Sequence, residues 1–316
     1  MGLRLIFMGT SGFAVPSLKA LLESPNEIIL VVTQPDRPAG RGRRLKPTPV
    51  KEAACRVGLE GKVICPHSVK DHEFVEFVRR NRPDALVVAA FGQILPPQLL
   101  EIPPLGAVNV HPSLLPKYRG AAPIQRAILN GEEITGVTLI QMDEGMDSGP
   151  VLMQRKTSIR EEEDAEELSK RLAQMGAGML LEALELMEQG SITPKPQREE
   201  EATYAPPLRK EEGEIRWERA ALEIQRQVRA MVPWPGAYTF WRGRRLKVHR
   251  ARAGLCDGEG GEPGMVLEMR DGALRVATGR CCVYLLEVQP ENRPRMSSEA
   301  FFQGHRDILG ERLGRL

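Results

Sequence analysis

No apolar run in this 316-residue chain approaches the roughly 20 residues that span a bilayer as a helix, so a membrane protein is not expected. The first apolar stretch, 3–8, is too short for the core of a secretion signal and runs into Gly-Thr-Ser-Gly without a cleavage pattern, which reads as a first strand. Ile6 stands where an N-myristoylation signal needs Ser or Thr, so no lipid anchor is expected. The five cysteines (Cys55, Cys65, Cys256, Cys281, Cys282) are odd in number and lack paired spacing, which points to a reducing, cytoplasmic compartment. The five histidines form neither HExxH nor a Cys/His cluster, so no metal is expected. Gly9-Thr-Ser-Gly12 lacks GxGxxG spacing, which argues against a nicotinamide dehydrogenase, and no GxSxG serine elbow is present. Internal repeats and low-complexity tracts are missing as well.

What is present is the composition of an ordinary globular protein, 41% hydrophobic and 27% charged, at a length that suits two domains. The first half alternates short apolar runs (4–8, 28–33, 63–65, 85–90, 107–111, 136–142) with helical patterns (15–23, 50–57, 70–79, 121–129). That order predicts an α/β fold, a Rossmann-like doubly wound parallel sheet covered on both faces. A further strand at 151–159 and a long helix at 164–189 complete this domain, and the Met-rich stripe of the helix reads as core packing. Residues 190–207 carry four prolines and no periodicity, and read as a linker. Beyond it, a helix at 218–231 precedes five short strand-like runs (237–241, 245–249, 264–269, 273–277, 282–288), predicting a small OB-like β-barrel over 208–316.

The net charge is only +2, but the basic residues cluster. Arg37, Arg41, Arg43, Arg44, Lys46 and Lys51 oppose the single acid Asp36 in 34–51, and Arg242, Arg244, Arg245, Lys247, Arg250 and Arg252 oppose none in 242–252. One such run is usually a solvated face; two in separate domains suit a polyanion. The acidic run 161–167 suits the positive end of a helix dipole. Trp234 and Trp241 read as core residues slightly before base-stacking ones.

Asn109 and His111 are two apart on an expected strand, so they share a face at the carboxyl edge where open α/β sheets bind ligands. Pro112 ends that strand, and the loop after the next one carries Asp143, Glu144 and Asp147. An amide, an imidazole and a carboxylate can therefore converge; a lone histidine at a strand end would more often just satisfy backbone groups. Asp143 and Glu144 read equally well as turn residues.

Several segments together resemble the folate-dependent formyltransferases: Phe7-Met-Gly-Thr10, Thr33-Gln-Pro-Asp-Arg-Pro-Ala-Gly-Arg-Gly42, Asn109-Val-His111, Ser113-Leu-Leu-Pro116, Arg119-Gly-Ala-Ala-Pro-Ile-Gln125, Gly136-Val-Thr138, Asp147, Gly149, Tyr204-Ala205 and Trp234-Pro235. The Gln-Pro-Asp loop and Arg-Gly-Ala-Ala-Pro are similar to those of members acting on charged initiator tRNA. The resemblance implies formyl transfer from 10-formyltetrahydrofolate to the amino group of methionine on initiator tRNA. It implies Asn109, His111 and Asp147 as catalytic residues, and Ser113, Leu114, Leu115 and Pro116 as folate contacts. On physical grounds those four could equally form a plain turn. Arg37, Arg41, Arg43, Arg44, Lys46, Arg244, Arg245 and Lys247 are the expected tRNA contacts, with no membrane and no obligate protein partner. A formyltransferase for a small amine, a formate-releasing hydrolase and a non-catalytic RNA-binding protein remain the alternatives; the last leaves the Asn, His and Asp set unexplained.

Overall fold

The computed structural model describes residues 2–39, 44–254, 256 and 261–315. Chain contacts divide them into two units, Met1–Pro123, Ile134–Ser158, Ser169–Ala205 and Ile124–Glu133, Ile159–Leu168, Pro206–Leu316. Of the expected linker 190–207, residues 190–205 cluster with the first unit and 206–207 with the second.

The first unit is built on β1 (Arg4–Gly9), β2 (Glu27–Val32), a hairpin of β3 (Arg37–Ala39) and β4 (Arg44–Lys46), β5 (Val63–Ile64), β6 (Ala85–Ala89), β7 (Ala107–His111), β8 (Arg119–Gly120), β9 (Ile134–Gln141), β10 (Val151–Ser158) and β11 (Tyr204–Ala205). Its helices are α1 (Val15–Leu22), α2 (Pro49–Arg56), α3 (His72–Asn81), α4 (Pro97–Leu100) and α6 (Ala165–Glu188), whose first four residues group with the second unit; of α5 (Pro123–Leu129) only Pro123 lies in this unit, and 124–129 group with the second. Local chemistry sets the ends: Thr48 accepts from the Lys51 N–H with Pro49 in the first helical position, and Asp164 accepts from the N–H groups of Glu166 and Glu167. The acidic run therefore does open a helix.

The main sheet has the order β10-β9-β7-β6-β1-β2-β5. It is parallel from β5 to β7, where strands such as Ala85–Ala89 are buried on both faces. The expected Rossmann-like parallel sheet is extended past β7 by two antiparallel strands, β9 against β7 and β10 against β9. The nine residues between β9 and β10, 142–150, are too few for a crossover. One face packs Ile6, Met8, Leu30, Val32, Leu86 and Val88 against Phe74, Val78 and Leu99 of α3 and α4. On the other, a Cβ on Gly176 of α6 would lie 2.6 Å from Val110 Cγ1, so only glycine lets the helix approach β7 this closely.

The second unit carries α7 (Ala221–Ala230), α8 (Ser298–Gly304) and an antiparallel sheet of β12 (Ala237–Trp241), β13 (Arg244–Ala253), β14 (Val266–Arg270), β15 (Ala273–Ala277), β16 (Cys282–Pro290) and β17 (Met296–Ser297). The order is β12-β13-β16-β15-β14, with β17 beside β16. The C-terminal tail joins the two ends: Gly310 and Leu313 donate to the carbonyls of Val266 and Gly264, and Gly314 donates to that of Phe240. The expected barrel is thus an antiparallel sheet closed by non-strand backbone. Its core includes Trp217, Ile224, Val228, Leu246, Val248, Leu274, Leu285 and Phe301. Trp241 packs against this core, but Trp234 is 55% exposed, so its expectation as a core residue is corrected. It sits between Pro233 and Pro235 in the connection from α7 to β12, outside both periodic patterns. Cys256 and Cys281 form a disulfide that spacing gave no reason to expect; β13 and β16 pair so that Ala253 faces Val283, which brings the flanking cysteines together.

Candidate active site

Three polar side chains meet on β7 and the loop after β9. In β7, Val108 and Val110 alternate with Asn109 and His111, and Asn109 stands beside Val88 in the sheet register. Because β9 is antiparallel, its last residue Gln141 pairs with Val108, and the following loop folds back along β7. Asp147 thereby reaches both partners: Asn109 Nδ2 donates to its Oδ1 at 3.1 Å, and His111 Nδ1 lies 3.5 Å from its Oδ2. The Gly120 N–H also donates to Oδ2, at 2.8 Å.

His111 is 4% exposed, and its Nε2 lies 3.0 Å from the Tyr118 carbonyl oxygen. A carbonyl only accepts, so Nε2 carries a proton and donates it. Nδ1 is then the nitrogen that faces the carboxylate, able to take or hold a second proton there. Asn109 is half-buried, and the second hydrogen of its amide has no protein acceptor among the described residues. It is the donor available to a substrate oxygen.

Asp147 (φ 52°) and Tyr118 (φ 63°) both lie in the left-handed region. Asp tolerates that conformation; for a bulky residue it costs on the order of 1–3 kcal/mol and needs support from the surroundings. The support is visible. Tyr118 N–H donates to Thr203 Oγ1 at 2.9 Å, Arg119 N–H donates to the Thr203 carbonyl, and β8 pairs with β11. Gln197 Nε2 donates to the carbonyls of Asp147 and Gly149. Arg119, 2% exposed, donates to Gln197 and Glu199, and this contact with Glu199 raises its pKa and lowers that of Glu199.

Of the expected folate contacts, Ser113 and Leu115 are buried, and Leu114 and Pro116 are half-buried. Ser113 Oγ donates to the Lys117 carbonyl, Thr138 Oγ1 accepts from the Leu115 N–H, and Gln154 donates to the Leu115 carbonyl. The polar groups of Ser113 and Leu115 are occupied in holding the turn, and Leu114 and Pro116 add apolar side-chain surface. Asp143 is exposed and accepts from the Gly145 N–H and Ser148 Oγ, as a turn residue does.

At the same sheet edge, after β2, β5 and β6, a cavity of about 400 Å³ is lined by Gln34, Pro35, Arg37, His67, Gly92 and Gln93. Strand order reverses between β1 and β6, the kind of switch point where α/β sheets take ligands. Gln34 Nε2 donates to the carbonyls of Phe91 and Gly92, and its Oε1 accepts from Arg37. Arg37 and Lys46 face solvent on the β3–β4 hairpin, and Lys51 is paired with Asp36 at 2.8 Å. Arg41 and Arg43 lie outside the described residues, as does the side chain of Arg44. In the second unit Arg244 is exposed, Lys247 is half-exposed, and Arg245 stacks on Tyr238 with Cζ 4.3 Å from the ring centre. Arg242 is held by Asp307 and Glu311.

A parallel-based sheet thus carries an amide, an imidazole and a carboxylate at its ligand edge, and a closed β-unit follows it in the chain. The chain belongs to the formyl transferase family, matching its description over residues 3–184 and that of the formyl transferase C-terminal domain over 207–306. It is 46% identical to methionyl-tRNA formyltransferase of Syntrophus aciditrophicus over 98% of both chains. With methionyl-tRNA formyltransferase of Pelobacter propionicus it shares 47% identity over 98% of this chain and 96% of that one. A crystal structure of HypX from Aquifex aeolicus in complex with tetrahydrofolic acid has the same fold, with a TM-score of 0.66 at 21% identity over 96% of this chain and 47% of that one.

Proposed function

We infer that the protein is a methionyl-tRNA formyltransferase, making formylmethionyl-tRNA for translation initiation. Near-full-length similarity to enzymes of that name, with Asn109, His111 and Asp147 converging, carries the reading. We further propose 10-formyltetrahydrofolate as the formyl donor, initiator methionyl-tRNA as the acceptor and the cytoplasm as the compartment. The donor supplies an activated formyl group on nitrogen.

The side-chain roles follow from the geometry. A free α-amino group titrates near 8, so a useful neutral fraction of the attacking amine exists at neutral pH. The second hydrogen of Asn109 Nδ2 meets the negative charge that develops on the formyl oxygen, an interaction of the kind whose removal costs about 10²–10³ in rate. Asp147 accepts the proton the amine loses, and His111 Nδ1 shares it. That proton is then available to the departing folate nitrogen. Leu114 and Pro116 offer apolar surface to the folate, and the 400 Å³ cavity offers space for a substrate group at the same edge. We propose residues 1–189 as the catalytic domain and 208–316 as a tRNA-holding one. Arg37, Arg41, Arg43, Arg44 and Lys46 meet the acceptor end, and Arg244, Arg245 and Lys247 the stem phosphates. Incubation with 10-formyltetrahydrofolate and charged initiator tRNA should yield formylmethionine. Formylation of a sugar amine or glycinamide ribonucleotide in its place, or release of free formate, would overturn the reading.

A further inference from the structure

Gln197 sits in the Pro-rich stretch, 50 residues from Asp147, yet its side chain is wholly committed to the Asp147 loop. Its Nε2 donates to the Asp147 carbonyl at 2.8 Å and to the Gly149 carbonyl at 2.7 Å, which uses both amide hydrogens. Its Oε1 accepts from Nε and Nη2 of Arg119 at 3.1 and 2.9 Å. Carbonyl oxygens take only donors and a guanidinium offers only donors, so the amide has a single orientation.

The next residue, Gly120, donates its N–H to Asp147 Oδ2. A closed circuit results: Gln197 holds the Asp147 backbone, Gly120 holds the carboxylate, and Arg119 joins the two. The Arg119 charge is compensated by Glu199, so the circuit leaves no buried charge unpaired. Aspartate tolerates the left-handed backbone at Asp147, and the two Gln197 donors hold the Asp147 and Gly149 carbonyls of this loop in one place.

We propose that Gln197 is a positioning residue for formyl transfer, holding Asp147 where its carboxylate meets His111 and the incoming amine. This rests on the formyltransferase reading above. Gln197 contacts neither reacting group, so its loss should act on turnover and spare binding.

Gln197→Met keeps the length and removes the donors; Gln197→Glu keeps an acceptor for Arg119 and sets an oxygen against two carbonyls. In folded protein each should lower kcat by about 10- to 100-fold while KM for folate and for methionyl-tRNA stays within about threefold. In an Asp147→Asn background the same changes should alter the residual rate by less than about twofold, because the group they position no longer takes the proton. A residue serving only the fold would lower both backgrounds by one factor. Full kcat in Gln197→Met, equal factors in the two backgrounds, or failure of both variants to fold would overturn the proposal. Parent protein that does not formylate methionyl-tRNA would bring down the functional reading itself, a result seen before any variant is assayed.

Discussion

Asn109, His111 and Asp147 differ in what each can lose. Asn109→Ala removes one neutral donor, and we expect kcat to fall by about 10²–10³, or ~2.7–4 kcal/mol of barrier, with KM nearly unchanged. Asp147→Asn removes the proton acceptor while keeping the shape, so its kcat should fall at least as far; rapid-quench single turnovers would separate this from slow product release. That Asn109 and His111 share a face is legible in the sequence, because they sit two apart on a strand; position alone leaves Asp147 level with Asp143 and Glu144, and only the family resemblance sets it apart. Their support was not legible. Arg119 lay inside a segment that resembled the family, but nothing in its spacing announced burial to 2% exposure, and Gln197 looked like part of a linker. Such contacts depend on residues far apart in sequence meeting through tertiary structure, which periodicity does not encode.

Among the elements, α6 gives the most direct test of how the scaffold holds the site. Gly176 and Gly178 lie two apart on this helix, and helix propensity alone favours Ala over Gly by about 0.5–1 kcal/mol at either position. A Cβ on Gly178 meets nothing within 4 Å, so Gly178→Ala should stabilise by roughly that amount. A Cβ on Gly176 presses on Val110, the residue between Asn109 and His111, so Gly176→Ala should destabilise by about 1–3 kcal/mol and lower kcat as well. Urea unfolding of the two variants measures the opposite signs. The element pattern of the first sheet was readable because buried parallel strands are short apolar runs. The reversal at β9 was not, since strand direction is set by pairing and leaves no mark on composition. The Cys256–Cys281 bond escaped for the same reason, being a consequence of the β13–β16 register.

At the scale of the whole molecule, stability and polyanion binding should answer separately to pH and salt. In the second unit Arg126 bonds Glu212, which holds that carboxyl below the usual glutamate range. A depressed carboxylate contributes stability above its unfolded value near ~4.3 and loses it as pH falls through the folded one. The stability difference between parent and Glu212→Gln should therefore be constant at neutral pH and shrink below about pH 4.5, which thermal unfolding across pH 3–7 can follow. Binding of charged tRNA should weaken steeply with salt, and replacing Arg244 and Lys247 by Ala should reduce the slope of log K against log salt by about 1–2. A flat salt response would remove the two basic segments from the binding surface. The most direct measurement is the single-turnover rate of formylmethionyl-tRNA synthesis by the parent, Asn109→Ala and Asp147→Asn proteins at saturating 10-formyltetrahydrofolate. We expect rapid synthesis by the parent and losses of about 100-fold or more in both variants; rates within about tenfold of the parent would show that the chemistry resides elsewhere.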